Sequence, residues 1–144
     1  MFLGTYAPKL DEKGRVILPA KFRDELSHGL VITRGREGCL VIYSAREFEN
    51  VHEQLMAAAS SGSKRARDAQ RMLLASASEE HLDAQNRITV PTMLREHAHL
   101  TRDLAVIGNG NRIEMWNSVA WDEYYAQMES AYEDSDEEVI PGLF

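Results

Sequence analysis

Alternation and helical periodicity divide this chain into short elements that recur in the same order. Residues 5–10 read as a strand that enters a tight turn at 11–14, where Asp11 and Gly14 supply the turn chemistry. A short strand, 15–18, follows. Its alternation puts Val16 and Leu18 on one face and Arg15 and Ile17 on the other. Pro19 then opens a short helix over 20–26, at the position where proline is welcome. Apolar runs at 30–33 and 39–43, around Gly35 and Gly38, predict a hairpin. Ser44 and Glu47 form a capping box for an amphipathic helix with the stripe Phe48, Val51 and Leu55.

The same series follows further along. Ile88 and Val90 alternate with Arg87 and Thr89, and Pro91 opens a helix over 92–98. Strands at 104–107 and 112–116 flank Gly108, Asn109, Gly110 and Asn111, a strong turn signal. A last helix starts at Asn117 and carries Trp121, Tyr124, Tyr125, Met128 and Tyr132. Between the two series lie a linker, Ser60-Ser61-Gly62-Ser63, and a basic helical stretch over 64–77.

The match extends to residue identities. Asp11, Arg15, Pro19 and Arg23 recur as Asp83, Arg87, Pro91 and Arg95, at a constant offset of 72. Val16/Ile88, Leu18/Val90 and Phe22/Leu94 recur as apolar pairs, and Gly14/Asn86 as residues that tolerate positive φ. The offset then becomes 73. There Leu40-Val41-Ile42-Tyr43-Ser44 matches Ile113-Glu114-Met115-Trp116-Asn117, and Phe48 matches Trp121. The copies cover residues 4–56 and 76–129, with 57–75 as a linker bearing the basic helix and 130–144 as an acidic tail that reads as disordered. A copy of about 50 residues buries little surface alone. Two copies related by a pseudo-twofold axis share one small barrel. The predicted class is α+β, mainly β in its core, with flanking helices.

Composition narrows the function. The chain has 144 residues, 44% of them hydrophobic and 27% charged, which is ordinary for a soluble globular protein. No apolar run approaches the ~20 residues that span a bilayer, and Met1 to Leu10 lack the pattern of a signal peptide. The single cysteine, Cys39, excludes an intrachain disulfide and a multi-cysteine zinc site, and a reducing cytoplasm is the expected location. The net charge of −7 conceals an asymmetry: nine acidic residues and no Lys or Arg lie in 114–144, so the rest of the chain is net basic. Two basic clusters stand out there: Lys9, Lys13, Arg15, Lys21 and Arg23, and then Lys64, Arg65, Arg67 and Arg71. A Debye length of about 8 Å lets such patches act locally on a polyanion.

Catalysis finds little support. The Gly108 to Asn111 stretch lacks the Lys-Ser/Thr of a phosphate loop, and the Ser60 linker has no nucleophile-elbow pattern. His97 and His99 have no companions at metal-ligand spacing. Cys39 reads as a buried small apolar residue. No catalytic residue, metal or cofactor is expected.

The Asp-x-x-x-Arg turns carry more. In each, the aspartate caps turn amides and steadies the arginine. The guanidinium, a planar fork suited to phosphate oxygens and guanine edges, projects toward a polyanion. The pseudo-twofold brings Arg15 and Arg87 to one face. The DNA-binding candidates are therefore Arg15, Lys13, Arg87 and Lys9, on turns structured by Asp11, Gly14, Asp83 and Asn86. Arg23 and Arg95 are expected in internal salt bridges. The stripe Trp121, Tyr124, Tyr125 and Met128 reads either as core or as a subunit contact; a small barrel has little room for it, which favours oligomerisation.

In these residues the chain resembles the MraZ family of bacterial transcriptional regulators. The resemblance rests on the doubled motif of Asp11 to Arg23 and Asp83 to Pro91, and on the opening Met1-Phe2-Leu3-Gly4-Thr5-Tyr6. It covers about residues 1–130 and leaves the tail outside. It implies two AbrB-like swapped-hairpin halves in one barrel, assembled through helix contacts into a homo-oligomeric ring of about eight subunits. It implies binding of double-stranded DNA at short direct repeats upstream of the cell-division and cell-wall gene cluster, its own gene included, usually as a repressor. The location implied is cytoplasmic and nucleoid-associated, with no membrane contact. The family's DNA-contacting turns fall on Asp11 to Arg15 and Asp83 to Arg87. Ala84-Gln85-Asn86 stands where the first copy has Glu12-Lys13-Gly14, so Lys13 and Arg15 rank above Arg87. One subunit offers only a modest basic face, and a ring would multiply weak contacts. The alternative is an AbrB-like antitoxin or protein-interaction module. The doubled motif argues against it and the acidic tail for it.

Overall fold

The computed structural model describes residues 1–60 and 62–144; Ser61, within the predicted linker, lies outside them. The elements are β1 (Phe2–Tyr6), β2 (Arg15–Ile17), two 3₁₀ turns (Ala20–Phe22 and Asp24–Leu26), β3 (Leu30–Arg34), β4 (Leu40–Ser44), α1 (Ala45–Ala59) and α2 (Lys64–Ser76). Then come β5 (Ser78–Glu80), β6 (Arg87–Thr89), α3 (Thr92–His97), β7 (Leu104–Gly110), β8 (Ile113–Asn117) and α4 (Ser118–Glu133). This is an α+β fold with a mainly antiparallel sheet core.

Among the described residues the strands form a six-stranded sheet, in the order β1-β7-β8-β4-β3-β5, and a two-stranded one, β2-β6. The registers expose the pseudo-twofold. At the centre of the large sheet Val41 pairs with Glu114, its own equivalent at the offset of 73. In the small sheet Val16 pairs with Ile88, its equivalent at 72. Both pairings are antiparallel, so each lies across the axis. The outer strands are exchanged: β1 pairs with β7, and β5 pairs with β3, so each copy's first strand completes the other copy's hairpin.

The core lies between the two sheets. Val16, Leu18, Ile88 and Val90 point inward from the β2–β6 layer against Ile32, Leu40, Ile42, Val106 and Ile113 of the large sheet. Phe22 and Leu26, with their equivalents Leu94 and Ala98, close its sides. The other face of the large sheet carries Val41, Tyr43, Ala105, Ile107 and Trp116, against which Phe48 and Val51 of α1 and Trp121 and Tyr124 of α4 pack. Both helix starts are capped: Ser44 Oγ accepts from the Glu47 amide at 3.1 Å, as predicted, and Asn117, where the last helix was expected to start, accepts through Oδ1 from the Ala120 amide at 3.1 Å.

Three elements differ from the sequence expectation. The first strand ends at Tyr6 instead of running to residue 10, because Pro8 has no amide to give a ladder. Beyond it only the single bridge Lys9–Asp103 keeps the pairing direction. Residues 20–26 form two 3₁₀ turns where the second copy forms α3. Pro19 to Leu30 is two residues shorter than Pro91 to Leu104, and a 3₁₀ turn rises about 2.0 Å per residue against about 1.5 Å for an α-helix. Finally, Gly108, Asn109 and Gly110 extend β7 instead of turning, because β1 pairs along them.

Candidate nucleic-acid interface

The outer face of the β2–β6 layer presents Arg15, Ile17, Arg87 and Thr89. Val16 and Ile88 face the core, so their neighbours must face outward. Arg15 stands opposite Thr89 and Arg87 opposite Ile17, so the two arginines lie diagonally on one face. Each turn is tied to the other copy's strand: the Val90 amide donates to the Gly14 carbonyl at 2.8 Å, and the Leu18 amide to that of Asn86 at 3.4 Å.

The two turns are built alike. In the first, the Gly14 amide donates to the Asp11 carbonyl at 3.0 Å, which places Glu12 and Lys13 at the tip. Asp11 Oδ1 accepts from the Lys13 and Arg15 amides, each at 2.9 Å, and Oδ2 accepts from Arg15 Nε at 2.8 Å. In the second, Asp83 Oδ1 accepts from the Gln85 amide at 2.9 Å and the Arg87 amide at 2.8 Å, and Oδ2 from Arg87 Nε at 2.8 Å. Each carboxylate thus fixes the turn and orients the guanidinium, and the Nη groups of Arg15 remain available to a ligand.

The hydrogen bond from the Arg15 amide, the largest influence, holds the Asp11 carboxyl below its usual 3.8; desolvation opposes it, and the Arg15 side chain and the Lys13 amide add to the lowering. The Arg87 amide leads the same effect at Asp83. A carboxyl depressed in the folded state stabilises it above the unfolded pKa and loses that contribution as pH falls through the folded value. The turns are therefore expected to stay ordered at neutral pH and to loosen only below the usual carboxylate range. The Nε–H chemical shifts of Arg15 and Arg87, followed by NMR in an acid titration, check this; shifts that keep their neutral-pH values in strong acid would refute it.

Gly14 and Asn86 take φ of +77° and +60°, which a tight turn needs and which glycine and asparagine accept most readily. Gly14 serves a second purpose. A Cβ there would lie 2.7 Å from Arg95 Cζ, so the guanidinium of Arg95 from the second copy sits directly beneath the first copy's turn. Arg95 is therefore not in the internal salt bridge expected of it. Its Nη2 donates to Thr92 Oγ1 at 2.8 Å, and its Nε is buried without a hydrogen-bond partner among the described residues. Arg23 likewise forms no salt bridge among the described residues and donates to the Leu18 carbonyl at 3.0 and 3.2 Å. Among the described residues, Arg23 thus braces backbone and Arg95 its own helix start, and neither forms an ion pair.

The remaining candidates separate. Lys13 is exposed at the tip. Lys9 is ion-paired with Asp103, which holds that carboxyl below its usual range and offsets the lysine's charge. The place of Arg95 under the first turn differs from the salt bridge expected of it, and its one signal in the sequence is the contrast of Gly14 with Asn86. Sequence reasoning treated Gln85 only as a departure, although Gln85 Oε1 accepts from Arg87 Nη2 at 3.1 Å.

On α4 the aromatic stripe divides. Trp121 and Tyr124 pack on Trp116, with ring centroids 5.3 and 5.1 Å away, whereas Tyr125 and Met128 are 50% and 38% exposed. The Cys39 thiol is buried and pushed up to about 12, first by desolvation and then by Glu114 and Glu37, which leaves it inert at neutral pH. No helix among the described residues is long and apolar enough to cross a membrane.

A family model described as "MraZ protein, putative antitoxin-like" matches residues 1–72 and again 73–140. Relatives named Transcriptional regulator MraZ are similar over all of both chains: 58% identical in Leifsonia xyli subsp. xyli, 57% in Kocuria rhizophila and 56% in Micrococcus luteus. The doubled fold, the two family matches and these relatives define a two-repeat transcriptional regulator. The chain belongs to the MraZ family.

Proposed function

We propose that the chain is a sequence-specific DNA-binding repressor. It occupies direct repeats upstream of its own gene, within the cell-division and cell-wall gene cluster, as a ring of about eight subunits in the nucleoid. The observation that carries this reading is the pair of arginines on one outer face, each anchored through Nε by an aspartate of its own turn. Such forks suit double-stranded DNA, while the negative tail and α4 lie on other elements. The exposed Tyr125 and Met128 supply the subunit contact, with Trp121 and Tyr124 beneath them as its support.

One subunit with so few free cations binds weakly, so affinity must come from several subunits engaging one duplex. Linking sites multiplies affinity by roughly 10²–10⁴ when the geometry allows simultaneous contact. Duplexes with one repeat and with several, taken from upstream of the chain's own coding sequence, are titrated over a salt series. The expected result is at least about a hundredfold tighter binding of the multi-repeat duplex and a steep loss with salt. Equal affinity for both duplexes would end the avidity argument, and no preference over a scrambled duplex would end the DNA reading.

A further inference from the structure

We propose that Gln85 is a positioning residue that makes the second turn the base-reading half of the interface, while the first turn supplies phosphate affinity. This rests on the DNA-binding reading above. The turns share a frame and differ at the tip. In the second, two groups hold the Arg87 guanidinium: Asp83 Oδ2 takes Nε–H at 2.8 Å and Gln85 Oε1 takes one Nη2 proton at 3.1 Å. Its plane is thereby set, with both Nη1 protons and one Nη2 proton left to donate. In the first turn the corresponding position is Lys13, whose side chain has no acceptor to offer Arg15, and among the described residues the Arg15 side chain is held by Asp11 alone.

The physical demands of the two kinds of contact differ in the same way. Reading guanine O6 and N7 requires a planar fork held in direction, because a few tenths of an ångström decide whether both bonds form. A phosphate accepts a mobile point charge from any direction, and lysine supplies one. The first tip has Lys13 exposed beside Glu12, with the Arg95 guanidinium below Gly14 adding positive charge. The second tip has Ala84, which contributes no charge, and Gln85, which is already committed to Arg87. A pseudo-symmetric pair of turns with unequal tips reads its site with a direction, which suits repeats arranged head to tail better than a palindrome.

Binding of the full chain to the upstream duplex and to a scrambled duplex of equal length, over a salt series, tests this. Gln85→Ala is expected to lower the ratio of the two affinities by about tenfold or more, with the salt slope unchanged. Gln85→Glu keeps an acceptor for Arg87 Nη2 and restores the ratio, although its added charge weakens both affinities. Lys13→Ala lowers both affinities by the same factor and reduces the salt slope by about one for each engaged turn. Lys13 and Gln85 are both exposed, so the melting temperature should not move in any of the three variants. A Gln85→Ala chain that keeps the wild-type ratio overturns the proposal, as does failure of Gln85→Glu to restore it. A wild type without any preference overturns the DNA-binding reading itself, and the wild-type arm alone reveals that.

Discussion

Replacing Gly108 with alanine is expected to detach β1 from the large sheet and to lower the unfolding free energy by about 3 kcal/mol or more. Gly108 pairs with Gly4 across the β1–β7 ladder. A Cβ at Gly108 would stand 2.2 Å from the Leu3 amide nitrogen and 2.4 Å from the Phe2 carbonyl carbon. Both are backbone atoms, so no rotamer change relieves the clash and the strand itself must move. With it goes Phe2, which is 1% exposed and packs edge-on to Phe22 at 5.2 Å. Losing a buried phenylalanine costs about 3–5 kcal/mol by itself. In a chain of this size that corresponds to a fall in melting temperature of roughly 10 °C. Thermal unfolding and amide exchange across Gly4 to Tyr6 measure it together. An unchanged melting temperature with β1 amides still protected would show that the close approach is not needed.

Arg15→Ala is expected to weaken binding of the multi-repeat duplex by about tenfold for each engaged subunit, the value of one charge-assisted contact, so the loss compounds across the ring proposed above. The oligomer's mass and the melting temperature should remain as they are. Among the described residues the side chain bonds to Asp11 alone, on a solvent-facing turn, and it is not part of the hydrophobic core. Sedimentation alongside the salt-series titration separates the two effects. If the variant binds as the wild type does, the first turn is not part of the interface. If the oligomer dissociates instead, the turn belongs to a subunit contact.

Much of this molecule is legible in its sequence because the sequence states it twice. Alternation around Arg15 and Arg87 and the Asp–Gly and Asp–Asn turn chemistry give the small strands and their turns. The Ser44 and Asn117 caps open α1 and α4 where their side chains meet the backbone amides. These are local effects, set by neighbours within four residues. The offset of 72 to 73 then implies a pseudo-twofold, and the pairing of Val41 with Glu114 and of Val16 with Ile88 fulfils it. The partners of the long side chains were not legible. Arg95 brings a guanidinium under Gly14 and Lys9 meets Asp103, across separations in sequence that no local pattern encodes.

The sequence by itself therefore determined the doubled α+β architecture, the core faces of its strands, and the rigid Asp–Arg turns on one outer surface, since periodicity, turn propensity and capping act over short range. Only the tertiary structure decided that Gly108 to Gly110 run on as strand, because β1 arrives there to pair. It also decided which aromatics of α4 face Trp116 and which face solvent. And it separated two turns that look alike in sequence into one with a free tip and one whose glutamine grips its arginine. Burial, close approach and hydrogen-bond choice depend on which distant segments share a place, and that is settled only when the chain closes on itself.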